Sequence, residues 1–115
     1  MPTVFIIAQD WMLRAGVRAE LRELGVEALG MESADDAGRA LARGTMPDAV
    51  VLDAEAAAAV PQALAALARQ VPMLVIASHA VDAPQMASAA AVLYRPVSVG
   101  EVVARVRQLL EGQPA

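Results

Sequence analysis

Residues 48–55 read DAVVLDAE. A short apolar run, Ala49 to Leu52, ends abruptly on an aspartate, Asp53. A continuous apolar run of this length, set off by Pro47-Asp48, is how a strand covered on both faces reads. A buried strand that delivers a carboxylate at its C-terminal tip presents either a working nucleophile or what remains of one.

The segments around this strand repeat its logic. Thr3 to Ala8 (TVFIIA) is a second apolar run rich in β-branched residues, again a two-sided strand. Asp10 can cap the helix that follows, in which Leu13, Val17, Leu21 and Leu24 recur at helical spacing and which Gly25 ends. Val26 to Met31 is a short strand. Ser33 and Asp36 resemble a capping box before a helix with Ala37, Ala40 and Leu41, closed by Gly44. After DAVVLDAE, residues 56–70 carry Val60, Leu64 and Leu67 at helical spacing, with Pro61 fitting the first turn. Pro72 opens a strand from Met73 to Ala77. Residues 80–90 form a weak, Ala-rich helix with Pro84 near its start. Val92 to Tyr94 is a short strand ending at Arg95-Pro96. The last helix opens on the capping box Ser98-Val99-Gly100-Glu101, carries Val102, Val103, Val106, Leu109 and Leu110, and stops at Gly112.

Strand and helix thus alternate through the chain, which calls for a parallel sheet covered by helices on both faces. In such sheets, sites lie beyond the C-terminal ends of the strands. Those ends hold Ala8, Gln9, Asp10, Asp53, Ala54, Glu55, Ala77, Ser78, His79, Tyr94 and Arg95.

Composition narrows the chemistry. The sequence has 115 residues, 57% hydrophobic and 19% charged, which suits one folded domain with a single core. Its formal net charge is -4, and a mildly acidic chain is a poor match for nucleic acid or an anionic membrane. Cysteine is absent, which excludes disulfides, thiolate catalysis and Cys-ligated metals. All 9 basic residues are arginine, so no chemistry that needs an amine side chain is available. The N-terminus lacks the pattern of a signal peptide, and no apolar run approaches the roughly 20 residues that span a bilayer. A cytoplasmic location is expected.

In element order and spacing the chain resembles the receiver domain of two-component response regulators, over essentially its whole length. The signposts are RELG at 22–25, PDAVVLD at 47–53, VPMLVIAS at 71–78, and RP at 95–96 leading into the last helix. The resemblance implies a three-layer α/β sandwich, a flavodoxin-like fold with a five-stranded parallel sheet ordered 2-1-3-4-5, here with a shortened fourth helix. It implies one receiver-like domain over residues 1–115 with no output domain. It also implies the family's chemistry, phosphoryl transfer to an aspartate at the end of the third strand. There an acidic pair and Mg²⁺, a Thr or Ser, and a Lys spread the negative charge of the transferred group.

Matched residue by residue, the acceptor survives and most of its helpers do not. Asp53 holds the phospho-acceptor position. Ala8 and Gln9 stand where the acidic pair belongs; a register one residue later places Gln9 and Asp10 there instead. Ala77 replaces the Thr or Ser, with Ser78 adjacent. Arg95 replaces the Lys and keeps its charge without its compact ammonium. Val92 replaces the switch aromatic, with Tyr94 two residues on. Position 57 is Ala where a proline is usual.

These departures set the expectations. Mg²⁺ needs several oxygen ligands in near-octahedral order, and Asp53 alone, or with Asp10 or Glu55, supplies too few. No cofactor is therefore expected, and Mg²⁺ enters only if the chain accepts phosphate after all. Asp53 and Arg95 should pair across the vacated pocket. Asp10 should be a helix cap, His79 a loop residue, and Glu55 solvated. Trp11, the sole tryptophan, should plug the pocket or be partly buried, the other reading being an exposed anchor for a partner. Val81, Met86, Val99 and Val103 give the fourth and last helices apolar surface, expected to form a homodimer face. The leading function is a degenerate receiver, not an enzyme, that acts through protein–protein contacts with a histidine kinase, an output protein or a second copy. The alternative is a receiver that a histidine kinase phosphorylates on Asp53.

Overall fold

Each apolar segment has become a strand. The computed structural model describes residues 1–56, 62–78 and 89–112. Within them run β1 (Thr3–Ile7), α1 (Trp11–Glu23), β2 (Glu27–Met31), α2 (Ala34–Ala42), β3 (Ala49–Asp53), a 3₁₀ turn (Ala54–Ala56), α3 (Gln62–Leu67), β4 (Met73–Ala77), β5 (Ala91–Tyr94) and α4 (Val99–Leu110). All five strands are parallel, in the order β2-β1-β3-β4-β5. This is the flavodoxin-like sandwich expected from the alternation of elements.

Strand alternation sorts the core into two layers. Val4 and Ile6 of β1, Val51 of β3, and Leu74 and Ile76 of β4 face α1 and α4, where they meet Val17, Leu21, Val102, Val103 and Val106. Phe5, Ile7, Val50, Leu52 and Val75 face α2 and α3, where they meet Ala34, Ala37, Ala40, Leu64 and Leu67. Every residue of β3 and β4 is buried, as their unbroken apolar runs require.

Local signals place the helix ends. Asp10 accepts from the backbone N–H groups of Met12 and Leu13 and starts α1. Gly25, at φ 83°, takes the left-handed conformation that closes this helix and turns the chain into β2. Ser33 caps α2 by accepting from the Asp36 N–H. Asp36 in turn accepts from Arg39, and that hydrogen bond, with the arginine's charge, holds its carboxyl below the usual value. Ser98 and Glu101 form the full reciprocal capping box of α4.

Two expectations change, and a third falls outside the described residues. The helix read over 56–70 is a 3₁₀ turn at its start and a short α3 further on, with Pro61 among residues outside those described. The weak helix over 80–90, with Pro84, also lies largely outside the described residues, as do His79, Val81 and Met86. Val99 and Val103 do not form an outer face. Val103 is buried in the core, and Val99 packs against it and lies so close to Gly16 of α1 that a Cβ there would stand 2.7 Å from Val99 Cγ2. The first and last helices share one sheet face, so a wider arc of α4 is covered than a helix with a single neighbour would hide.

Candidate functional site

Parallel register brings the strand ends level. Ile7 lies opposite Leu52, Asp53 opposite Ile76, and Ala77 opposite Tyr94. Asp53, Ser78 and Arg95 therefore gather at one edge of the sheet. Alternation decides which side chains meet. Asp53 follows Val51 in pointing to the α1 and α4 side, whereas Ala77 packs into the opposite layer. The hydroxyl that reaches this edge network is thus that of Ser78.

Asp53 is 1% exposed, the one charged residue buried among those described. Both of its oxygens are engaged. Oδ1 accepts the backbone N–H of Glu55 at 3.0 Å, and Oδ2 accepts from the Arg95 guanidinium in the expected ion pair. Removal of a carboxylate from water is costly unless it is paired and hydrogen-bonded, and here it is both. Arg95 is fixed by its backbone as well, its N–H donating to the Ala77 carbonyl at 2.9 Å. The same guanidinium group lies 3.9 Å from Glu55 Oε1, and Ser78 Oγ donates to Glu55 Oε2 at 3.2 Å. Glu55, read from the sequence as solvated, has a side chain 62% exposed and yet joins both neighbours. Arg95 Nη1 is buried and has no hydrogen-bond partner among the described residues.

The remaining pocket positions lie apart from this network. Ala8 is buried and offers only a methyl group, and Gln9 is exposed. Asp10 spends its carboxylate on the N-terminus of α1. Among the described residues, no three His, Asp or Glu side chains group as a metal ion would need. The described donors at the strand ends, the Asp53 carboxylate held by Arg95 and the exposed Glu55 carboxylate beside it, are a poor fit to the octahedral oxygen shell of Mg²⁺.

One feature escaped the sequence, and another follows its second reading in place of its first. Arg14 reaches from α1 across Gly30 of β2, where a Cβ would stand 3.0 Å from its Cγ, and donates to the Ala8 carbonyl at 2.6 Å. No spacing rule signals a contact that depends on the hand of the crossover and on one missing methyl. Trp11 is the other. It is 66% exposed, beside Met12 at 69%, and does not plug the pocket. It sits at the first position of α1, while the buried face of that helix is set by Val17 and Leu21. A groove of about 560 Å³ between β2 and α2, lined by Arg14, Arg39 and Arg43 among others, includes none of the pocket positions read from the sequence.

No protein-family profile matches the sequence, and no curated relative matches it. Solved structures do. The receiver domain of response regulator 1452 from Francisella is 18% identical, with a TM-score of 0.73 over 99% of this chain and 100% of that one. The receiver domain of a sensor histidine kinase from Pseudomonas aeruginosa PAO1, solved with a magnesium ion in its active-site cleft, is 16% identical, with a TM-score of 0.74 over 96% and 98%. A protein from a family of streptococcal redox sensors that evolved from two-component response regulators is 16% identical, with a TM-score of 0.78 over 98% of this chain and 52% of that one. The likeness extends along the whole chain and reaches the order of every strand: this protein has the fold of a response-regulator receiver domain.

Proposed function

We propose that the chain is a degenerate receiver module of two-component or related signalling, which works in the cytoplasm by binding proteins and in which Mg²⁺-dependent phosphorylation of Asp53 is impaired. The observation that carries this reading is the state of Asp53. It is buried, both oxygens are engaged, and its nearest cation is a side chain of the same protein. Attack on a phosphoryl group needs extra positive charge to offset the charge that gathers, and here a single guanidinium, already paired with the carboxylate, is the cation at hand. The sites where the family keeps acidic residues hold Ala8 and Gln9. The streptococcal neighbour, from a family of redox sensors that evolved from response regulators, supplies a precedent for the fold taking up another task. Its redox role does not carry over through a thiol, since cysteine is absent here.

The partner is a protein, a second copy of this chain included. Exposed Trp11 and Met12 border the C-terminal edge of the sheet and offer apolar area that such a partner would cover. Val103 is buried and Val99 half-buried against the core, so they offer less apolar area than Trp11 and Met12. Incubation with Mg²⁺ and acetyl phosphate, followed by intact-mass measurement, tests the reading. No adduct is expected. A stoichiometric phosphoryl adduct that Asp53→Asn abolishes would overturn it in favour of an orthodox phospho-accepting receiver.

A further inference from the structure

Glu55 touches the ends of three strands at once. It follows β3, and its backbone N–H donates to Asp53 Oδ1 at 3.0 Å. One side-chain oxygen accepts from Ser78 Oγ, just past β4, at 3.2 Å. The other lies 3.9 Å from the Arg95 guanidinium, just past β5. The carboxylate therefore bridges a hydroxyl and a cation from separate strands while its backbone secures the buried aspartate between them. A carboxylate, with two acceptor oxygens and a negative charge, suits that bridge.

We infer that Glu55 is an internal acidic clasp, which holds the ends of β3, β4 and β5 in one arrangement with the chain's own carboxylate in place of an added phosphoryl group. This rests on the receiver reading, in which those strand ends are the switch. The clasp makes the arrangement constitutive and independent of any kinase. Its grip is modest and adjustable, because Glu55 is largely solvent-exposed and its pull on Arg95 is screened by salt. Asp53–Arg95 is the buried half of the network and resists screening; Glu55 is the half that ionic strength, or a partner presenting its own charge, can loosen.

Amide exchange of the full chain, followed residue by residue by NMR, tests the clasp. The reporter is the Arg95 N–H, which donates to the Ala77 carbonyl. Glu55→Gln keeps the shape and removes the charge. It should speed exchange at Arg95 by about two- to five-fold, the range an exposed charge pair is worth, and leave β1 and β2 unchanged. In the parent protein the Arg95 rate should rise with salt, and in Glu55→Gln that salt response should shrink. Asp53→Asn serves as the control that the reporter senses loss of the buried pair. If Asp53→Asn registers and Glu55→Gln leaves both rate and salt response unaltered, or raises exchange equally everywhere, the clasp is overturned. Neither result bears on the acetyl phosphate experiment, so the clasp and the degenerate-receiver reading fail separately.

Discussion

At the scale of single residues, the informative contact is Asp53 with Arg95. Arg95 is 27% exposed and its partner almost fully buried, so loss of the arginine leaves a carboxylate stranded away from water. Arg95→Ala should destabilise the protein by about 3 kcal/mol in urea unfolding, the low end for breaking a buried pair, because Glu55 N–H still holds Asp53 Oδ1. The double variant Asp53→Leu, Arg95→Met should recover most of that loss. If it does not, the cost lies in lost packing and not in the unpaired charge. Asp53 and Arg95 were both legible in the sequence, one as the polar end of an apolar strand and the other as the cation beside Pro96. Glu55 was legible as a solvated carboxylate at a strand end, but its links to Ser78 and Arg95 were not, because an exposed carboxylate in a turn carries no periodic signal. Trp11 misled for a related reason. A large aromatic suggests burial, but its place at the start of α1 is fixed by the helix phase that Val17 and Leu21 set.

At the scale of elements, strands read more clearly than helices. A strand buried on both faces has an unbroken apolar run, and β1, β3 and β4 announce themselves in that way. Ala-rich segments lack such contrast, since alanine suits the inside and outside of a helix alike, and the end of α3 at Leu67, short of the expected residue 70, carries no clear signal in the sequence. The contact between α1 and α4 was equally invisible. It depends on Gly16, whose missing side chain lets Val99 approach. Gly16→Ala would set a methyl group 2.7 Å from Val99 Cγ2 and should cost about 1–3 kcal/mol by overpacking, despite the better helix propensity of alanine. Adding Val99→Ala returns the space, so the double variant should be more stable than the sum of the two single effects. Simple additivity in a thermal or urea unfolding series would show that the helices shift apart without strain.

At the scale of the whole molecule, the sheet divides the core into two layers. The α1 and α4 side is filled by Val and Leu from two long helices, whereas α3 has only Leu64 and Leu67 buried. Less apolar burial means a lower local opening energy. Native-state amide exchange should therefore find α3 opening before α1 and α4; equal protection would mean that the two layers unfold as one unit. The shared face of α1 and α4 has a further consequence, which concerns the order of events in the cell. Synthesis delivers α1 early, yet α4, which covers the same sheet face, comes from residues 99–110, after all the described strands have been made. Until then the growing chain holds a parallel sheet with Val51, Leu74 and Ile76 incompletely roofed. Topologies that close through distant segments fold slowly and expose apolar surface while they wait. The ribosome-bound intermediate, more than the finished protein, is thus the form most in need of a chaperone.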